Sequence, residues 1–167
     1  MQIEEFNTVS AAEAAEVLRR CAAVDSFVTA VVAGRPYADL DSLLATAAAQ
    51  TDMWSDAEVE TALALQPPSG TKVAGHGRSA RLSRKERAAL EDEEADVLAR
   101  LDEGVATYEA RFGRPYLVRA AGRAPEQLLA ILKQRLGHDD MTERRVTREQ
   151  LGEIALLRLQ QLFGVTP

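Results

Sequence analysis

The amino-acid sequence predicts an all-α protein, a single-domain helical bundle of about seven helices. Ala, Leu, Glu and Arg, which are strong helix formers, dominate the composition. Ser-x-x-Glu capping boxes, which mark helix starts, begin at Ser10, Ser55 and Ser83. Apolar side chains recur at helical spacing along the longest predicted helix. A chain of 167 residues has the size of one ordinary domain, so the domain is predicted to span residues 1–167.

Start and stop signals predict each helix in order. The capping boxes open the first, fourth and fifth helices, and Gly or Pro residues end the second, fourth, fifth and sixth. Pro125 lies in the first turn of the sixth helix, where its fixed φ is favourable. The segment 116–119 is predicted to be extended, but it is too short and isolated to belong to a sheet. The predicted helices span residues 11–22, 26–33, 39–51, 56–65, 84–112, 125–137 and 143–163.

Two long helices are predicted to supply much of the core. The helix 84–112 has an apolar face at helical spacing, formed by Leu90, Val97, Leu98, Leu101, Val105, Tyr108 and Phe112. The last helix contributes Leu151, Ile154, Leu157 and Leu159. Cys21, on the first predicted helix beside other apolar residues, is interpreted as a buried thiol and not as a nucleophile.

Composition excludes several classes of protein. A single cysteine and two distant histidines argue against a zinc site, and neither a metal ion nor a cofactor is expected. The net charge of −6 argues against nucleic-acid binding, and no apolar segment has the length of a membrane helix. The first residues do not resemble a signal peptide. The sequence therefore predicts a soluble protein of the reducing cytoplasm.

The most basic part of the chain is the segment 72–87. It contains six Lys and Arg residues and one Glu, a net charge of +5, so the remainder of the chain carries −11. A Gly-containing basic loop that runs into a helix N-terminus can bind an anion, because free N–H groups point toward it. The alternative is a solvated loop with scattered charge, which the composition alone favours. Glu86 by itself is equally explained as the third residue of a capping box that begins at Ser83.

Several longer motifs give the chain a family resemblance. They are Phe6-Asn7, Gly34-Arg35-Pro36-Tyr37, the segment 108–113 (YEARFG), the segment 116–123 (YLVRAAGR), the segment 135–138 (RLGH) and the segment 153–159 (EIALLRL). On these motifs the chain resembles the 2-oxo-4-hydroxy-4-carboxy-5-ureidoimidazoline (OHCU) decarboxylase family over nearly its whole length. The resemblance implies an all-helical, cofactor-free homodimer of the urate-to-allantoin pathway. It also implies that the substrate is a small ureide or purine-derived anion.

The resemblance also identifies candidate catalytic residues. The family loop typically contains His-Pro-Arg-Ile-Gly-Glu, whose His is the general acid or base. The aligned segment 66–71 begins here with Gln66 and Pro67, so the Pro is retained and the His is replaced. The second family motif, Ser-x-x-Glu-Gln, corresponds to Ser83, Glu86 and Arg87 in this chain. We therefore expect Gln66 and Glu86 at the catalytic position, with Pro67, Ser83 and Arg87 binding the substrate.

A third family element contacts the substrate ring through its backbone. It corresponds to the sequence Leu117, Val118, Arg119 and Ala120, which completes the expected substrate-binding set. Arg87 is predicted to point into the pocket between Gln66 and Arg119 and to bind an anionic group. The alternative is an Arg87 side chain that faces solvent.

The replacement of His by Gln66 leaves three hypotheses open, because an amide cannot titrate near neutral pH. The first hypothesis is that the protein is an OHCU decarboxylase in which Glu86 or His76 supplies the proton. Alternatively, it acts on a different, more anionic heterocycle. The third hypothesis is a catalytically silent paralogue that binds a ureide or a partner protein.

Overall fold

The computed structural model describes residues 1–65 and 84–164, and within 84–90 it describes the helix but not the side chains. This part of the chain contains helices and connecting segments and no β-strand, which confirms the all-α prediction. Eight helices lie within it, one more than the seven predicted. They are α1 (Ile3–Thr8), α2 (Ala11–Cys21), α3 (Asp25–Ala33), α4 (Leu40–Thr51), α5 (Asp56–Ala64), α6 (Arg84–Phe112), α7 (Pro125–Leu136) and α8 (Asp140–Leu162).

The helix that the sequence did not predict is α1. It has only six residues, too few for a helix to be stable by propensity alone. Tertiary packing stabilises it instead, because Phe6 is fully buried and its ring lies against the rings of Tyr37 and Phe163. Glu4 and Glu5 in its first turn interact favourably with the helix dipole.

Two of the three predicted capping boxes are confirmed. Ser10 and Ser55 each accept a hydrogen bond from the backbone N–H of the Glu three residues later, and each Glu side chain accepts the N–H of its Ser. The Ser10 hydroxyl also donates to the Glu13 carboxylate, and this bond, together with the one from the Ser10 N–H, lowers the pKa of the Glu13 carboxyl. The box that begins at Ser83 lies outside the described residues.

The described residues group into two compact units. The first unit contains residues 1–65, 117–119 and 144–164, and the second contains residues 84–116 and 120–143. The prediction of one domain over residues 1–167 remains a prediction.

The core of the first unit is built from helices α1–α5 and the later part of α8. Phe27 and Trp54 pack edge to face, and Leu43, Leu151 and Leu159 are fully buried. The predicted core residues Ile154 and Leu157 are only half-buried, because the small residues Gly152 and Ala155 face the core between them. Gly152 allows a close approach, since a Cβ atom there would lie 3.0 Å from the Cβ of Thr51.

Two motifs quoted for the family resemblance meet in the first unit. The Asn7 side chain donates to the carbonyl of Tyr37 and accepts its backbone N–H, both at 2.8 Å. The Arg35 guanidinium donates to the carbonyls of Phe6 and Val9, both at 2.8 Å. These contacts attach the turn after α3 to the end of α1, so these motif residues have a structural role.

The second unit is formed mainly by α6 and α7. Leu101 and Tyr108 of the predicted apolar face of α6 are buried, whereas Val97, Leu98, Val105 and Phe112 are half-buried. Gly104 lets α7 approach α6 closely, because a Cβ atom there would lie 2.5 Å from a methyl carbon of Leu132. Among the described residues, no helix has the length and apolar character needed to cross a membrane.

Candidate functional site

The predicted site residues fall into three groups. Gln66, Pro67 and Ser83 lie outside the described residues, as does His76. Helix α6 begins at Arg84, so Glu86 and Arg87 are its third and fourth residues. Their side chains also lie outside the description, and the predicted direction of Arg87 stays a prediction. The third group, the segment 117–120, is described in full.

The segment 117–120 is neither helix nor strand. Leu117 is buried, Val118 is half-buried and Ala120 is exposed. Residues 117–119 belong to the first unit, whereas Ala120 belongs to the second. The expectation that residues 116–119 lie outside any sheet is confirmed.

Arg119 is held by two residues of α8, and we call these three residues the Arg119 clamp. The backbone N–H of Arg119 donates to Oε1 of Gln150 at 3.0 Å. The Arg119 Nε lies 2.9 Å from Oε2 of Glu153, forming an ion pair. The Gln150 amide also donates from Nε2 to Oε1 of Glu153 at 3.3 Å. Since Gln150 and Glu153 are three residues apart on α8, they share one face of the helix.

The peptide groups of Val118 contrast with those of Arg119. In the part of the chain that the structure describes, the N–H and C=O of Val118 make no hydrogen bond. A backbone N–H or C=O without a protein partner is satisfied by water or by a ligand. Val118 can therefore offer one donor and one acceptor to a bound molecule.

A buried polar cluster lies in the second unit. Glu143 is fully buried and accepts hydrogen bonds from the Tyr108 hydroxyl at 2.6 Å and from the Arg135 Nε at 2.7 Å. A second Arg135 nitrogen donates to the same Glu143 oxygen. His138 Nδ1 lies 3.1 Å from the other carboxylate oxygen. Burial is the largest single effect on the Arg135 pKa and lowers it, but hydrogen bonding to Glu143 and the charge interactions with Glu143, Tyr116 and Tyr108 together outweigh burial and raise the pKa overall.

Tyr116 completes this cluster. Its ring lies 4.6 Å from the Arg135 guanidinium carbon and packs edge to face on Tyr108 at 4.9 Å. Burial raises the pKa of the Tyr116 hydroxyl, although the positive charge of Arg135 acts in the opposite direction. The family motif residues Tyr108, Tyr116, Arg135 and His138 are therefore explained by packing around one buried carboxylate.

A surface cleft of about 500 Å³ lies in the first unit between α4 and α8. Its charged lining consists of Asp52, Glu149 and Glu153 against Arg148. Three carboxylates and one guanidinium disfavour an anionic ligand. The cleft is therefore a poor candidate for the expected anionic substrate.

The described residues also bear on metal binding. Among the residues whose side chains the structure describes, 1–65 and 91–164, no group of three His, Cys, Asp or Glu is arranged to hold a metal ion. Cys21 is buried, as the sequence predicted, and burial raises the pKa of its thiol to about 11. Its sulfur donates weakly to the carbonyl of Val17.

The fold and the clamped segment define an all-helical protein with a peptide group available for a ligand. Comparison with known sequences identifies the class, because the sequence model of the OHCU decarboxylase family matches residues 7–160. The chain belongs to the OHCU decarboxylase family.

Two curated proteins show how far the similarity extends. A 2-oxo-4-hydroxy-4-carboxy-5-ureidoimidazoline decarboxylase from Amia calva is 30% identical over 169 aligned residues, which cover 98% of this chain and 95% of that protein. A uric acid degradation bifunctional protein from Bacillus sp. (strain TB-90) is 25% identical over 98% of this chain. The chain spans only 32% of the length of that second protein.

Two solved structures share the fold. The crystal structure of an (S)-allantoin synthase matches with a TM-score of 0.68 at 18% identity, over 96% of this chain and 54% of that chain. The crystal structure of an OHCU decarboxylase in the presence of (S)-allantoin matches with a TM-score of 0.65 at 20% identity, over 87% of this chain and 95% of that chain. The all-α fold of the OHCU decarboxylase type is thereby confirmed.

Proposed function

We propose that the protein is a cofactor-independent decarboxylase of the urate-to-allantoin pathway, acting on OHCU or a related ureidoimidazoline. The family match over residues 7–160 carries this proposal. A relative of nearly the same length, the Amia calva protein, is named for this activity. The Val118 peptide within the retained family motif supports it, because it offers a donor and an acceptor to a ureide.

The reaction requires that the protein orient the substrate and deliver one proton to it. The bond between the carboxylate and the hydroxyl-bearing ring carbon breaks, and CO₂ leaves. The electron pair forms a C=C bond to the adjacent ring carbon, and the C=N group of that carbon takes the negative charge onto its nitrogen, which leaves an enol. A proton then adds from one face to the adjacent carbon, which bears the ureido group, and this fixes the handedness of the allantoin. The nitrogen takes up a second proton, and the hydroxyl gives up its own as it becomes the ring carbonyl. Placed donors and a single acid are sufficient for such a reaction.

The roles of individual residues follow from the aligned motifs. We assign Gln66 and Glu86 to the catalytic position, with Glu86 or His76 as the proton donor. The substrate-binding set is Pro67, Ser83, Arg87, Leu117, Val118, Arg119 and Ala120. Gln66 donates and accepts hydrogen bonds but does not carry the proton.

Two departures from the family pattern, at Gln66 and Arg87, favour a second candidate function. Gln66 replaces the family His, and Arg87 adds a guanidinium that can grip a carboxylate with two hydrogen bonds. These changes suit a different, more anionic heterocycle, or a paralogue that binds a ureide without turnover. We further propose that the protein is a homodimer that works in the cytoplasm. Sedimentation equilibrium tests the dimeric state directly.

The decisive experiment follows the disappearance of freshly generated OHCU by absorbance, with and without the protein. We expect a saturable acceleration over spontaneous decay. Calorimetric titration with (S)-allantoin runs in parallel. Binding without acceleration supports the silent paralogue, and the absence of both supports a different substrate.

A further inference from the structure

We propose that Gln150 and Glu153 are positioning residues for the substrate, acting through the Arg119 clamp on the peptide group of Val118. This inference rests on the proposed function. It adds two residues of α8 to the binding machinery, neither of which touches the substrate itself.

The geometry of Gln150 carries the proposal. Its amide is used at both ends, since Oε1 accepts the Arg119 N–H at 3.0 Å and Nε2 donates to Glu153 at 3.3 Å. The second Glu153 oxygen lies 2.9 Å from the Arg119 Nε. Three side chains therefore close a ring that fixes the backbone and the guanidinium of Arg119 together.

A segment without regular structure needs such a restraint if its backbone is to bind a ligand. Residues 117–120 belong to no helix or strand, so no repeating pattern of backbone hydrogen bonds fixes their peptide orientations. Gln150 accepts the Arg119 N–H, and the Val118 C=O lies in the same planar peptide group as that N–H, so the direction of the unpartnered carbonyl is fixed with it. Only the two soft dihedral angles of Val118 separate that plane from the unpartnered Val118 N–H, whose direction is restrained less directly.

The chemistry of a ureide matches this peptide. A ureido group or an imidazolone ring has N–H donors next to C=O acceptors along one edge. The N–H and C=O of a single residue can pair with such an edge as they pair with an opposite residue in an antiparallel ladder. A fixed Val118 peptide would then select one orientation of the ring and one face for the proton.

The α8 helix provides a separate control position for the test. Gln161 lies on the same helix, is exposed, and is not part of the clamp. Gln150→Leu removes both the acceptor and the donor. The double variant Gln150→Glu with Glu153→Gln exchanges the two side chains, so it retains an acceptor for the Arg119 N–H and a donor between positions 150 and 153. Gln161→Leu is the matched control for the loss of a Gln amide from α8.

We expect Gln150→Leu to raise KM for OHCU about tenfold, the effect of losing one positioning hydrogen bond, with a smaller change in kcat. The excess of (S)-allantoin should fall as well. The exchanged double variant should recover most of the affinity, and Gln161→Leu should match the wild type. A purely structural role would lower the melting temperature without moving the enantiomeric excess.

Two results overturn the positioning role alone. The first is a Gln150→Leu variant with the KM and enantiomeric excess of Gln161→Leu, while the wild type makes (S)-allantoin. The second is an exchanged double variant as impaired as Gln150→Leu. Racemic allantoin from the wild type would overturn the proposed function and the positioning role together, so the two failures are distinguishable.

Discussion

The buried Arg135–Glu143 pair allows a quantitative test of what stabilises the second unit. Both side chains are almost fully buried, at 3% and 0% exposure, so neither charge is solvated by bulk water. In Glu143→Gln the Arg135 charge would remain buried without its counter-charge. Removing one partner of a buried ion pair costs about 3–5 kcal/mol. We expect the lower end, about 3 kcal/mol, because a Gln amide oxygen can still accept from the Tyr108 hydroxyl.

Urea unfolding followed by far-UV circular dichroism measures this loss. With a typical urea dependence of about 2 kcal/mol per molar, the midpoint should fall by about 1.5 M. The matched control is Glu149→Gln on the same helix, where Glu149 forms an exposed pair with Arg145. That variant should lose no more than about 0.5 kcal/mol. If both variants unfold at the same urea concentration, the account of the buried cluster is wrong.

The remaining predictions concern the catalytic motifs and the cysteine. Gln66→His should raise the rate of OHCU decarboxylation, because it restores a titratable group beside the retained Pro; an unchanged rate in the same absorbance assay would mean that the pocket serves another substrate. Glu86→Gln should impair turnover strongly, while the free energy of unfolding falls by at most about 1 kcal/mol. Small effects of equal size on turnover and on stability would indicate that Glu86 acts only as a capping residue. Arg87→Gln should weaken the binding of anionic ligands, and the measured affinity should change less with salt concentration in calorimetry. An unchanged dependence of affinity on salt would indicate that the Arg87 side chain faces solvent. Burial raises the pKa of the Cys21 thiol from 9.0 to about 11, so the thiol should stay protonated at pH 8 and react with a thiol reagent only after unfolding. The contribution of the protonated thiol to the free energy of unfolding should be complete below pH 9 and decline as the pH rises toward 11. Rapid modification at pH 8 would contradict its burial.

The sequence predicted most of the helices because their boundaries depend on local signals. Helix α6 spans the predicted 84–112, and it ends where Gly113 adopts a φ of +67° that other residues disfavour. The start of α8 was predicted three residues late, because Asp139 caps it by accepting the Thr142 N–H. Helix α1 was missed, since its stability comes from Phe6 contacts with distant residues.

The candidate site was only partly predictable for the same reason. The family motif located residues 117–120, but the clamp joins Arg119 to Gln150 across 31 positions of the chain. A hydrogen bond of that separation leaves no pattern in a single sequence. The spacing of Gln150 and Glu153 on one helix face was visible, but their partner was not. Glu143 was likewise missed, because nothing local distinguishes a buried carboxylate from the exposed ones around it.

The handedness of the product tests the proposed decarboxylase most directly. Freshly generated OHCU should be decomposed with the protein present and, separately, without it, and the allantoin from each reaction measured by circular dichroism. Spontaneous decay gives racemic allantoin, which has no signal. The account predicts the dichroism of (S)-allantoin, growing with protein concentration. A racemic product at every protein concentration would contradict it.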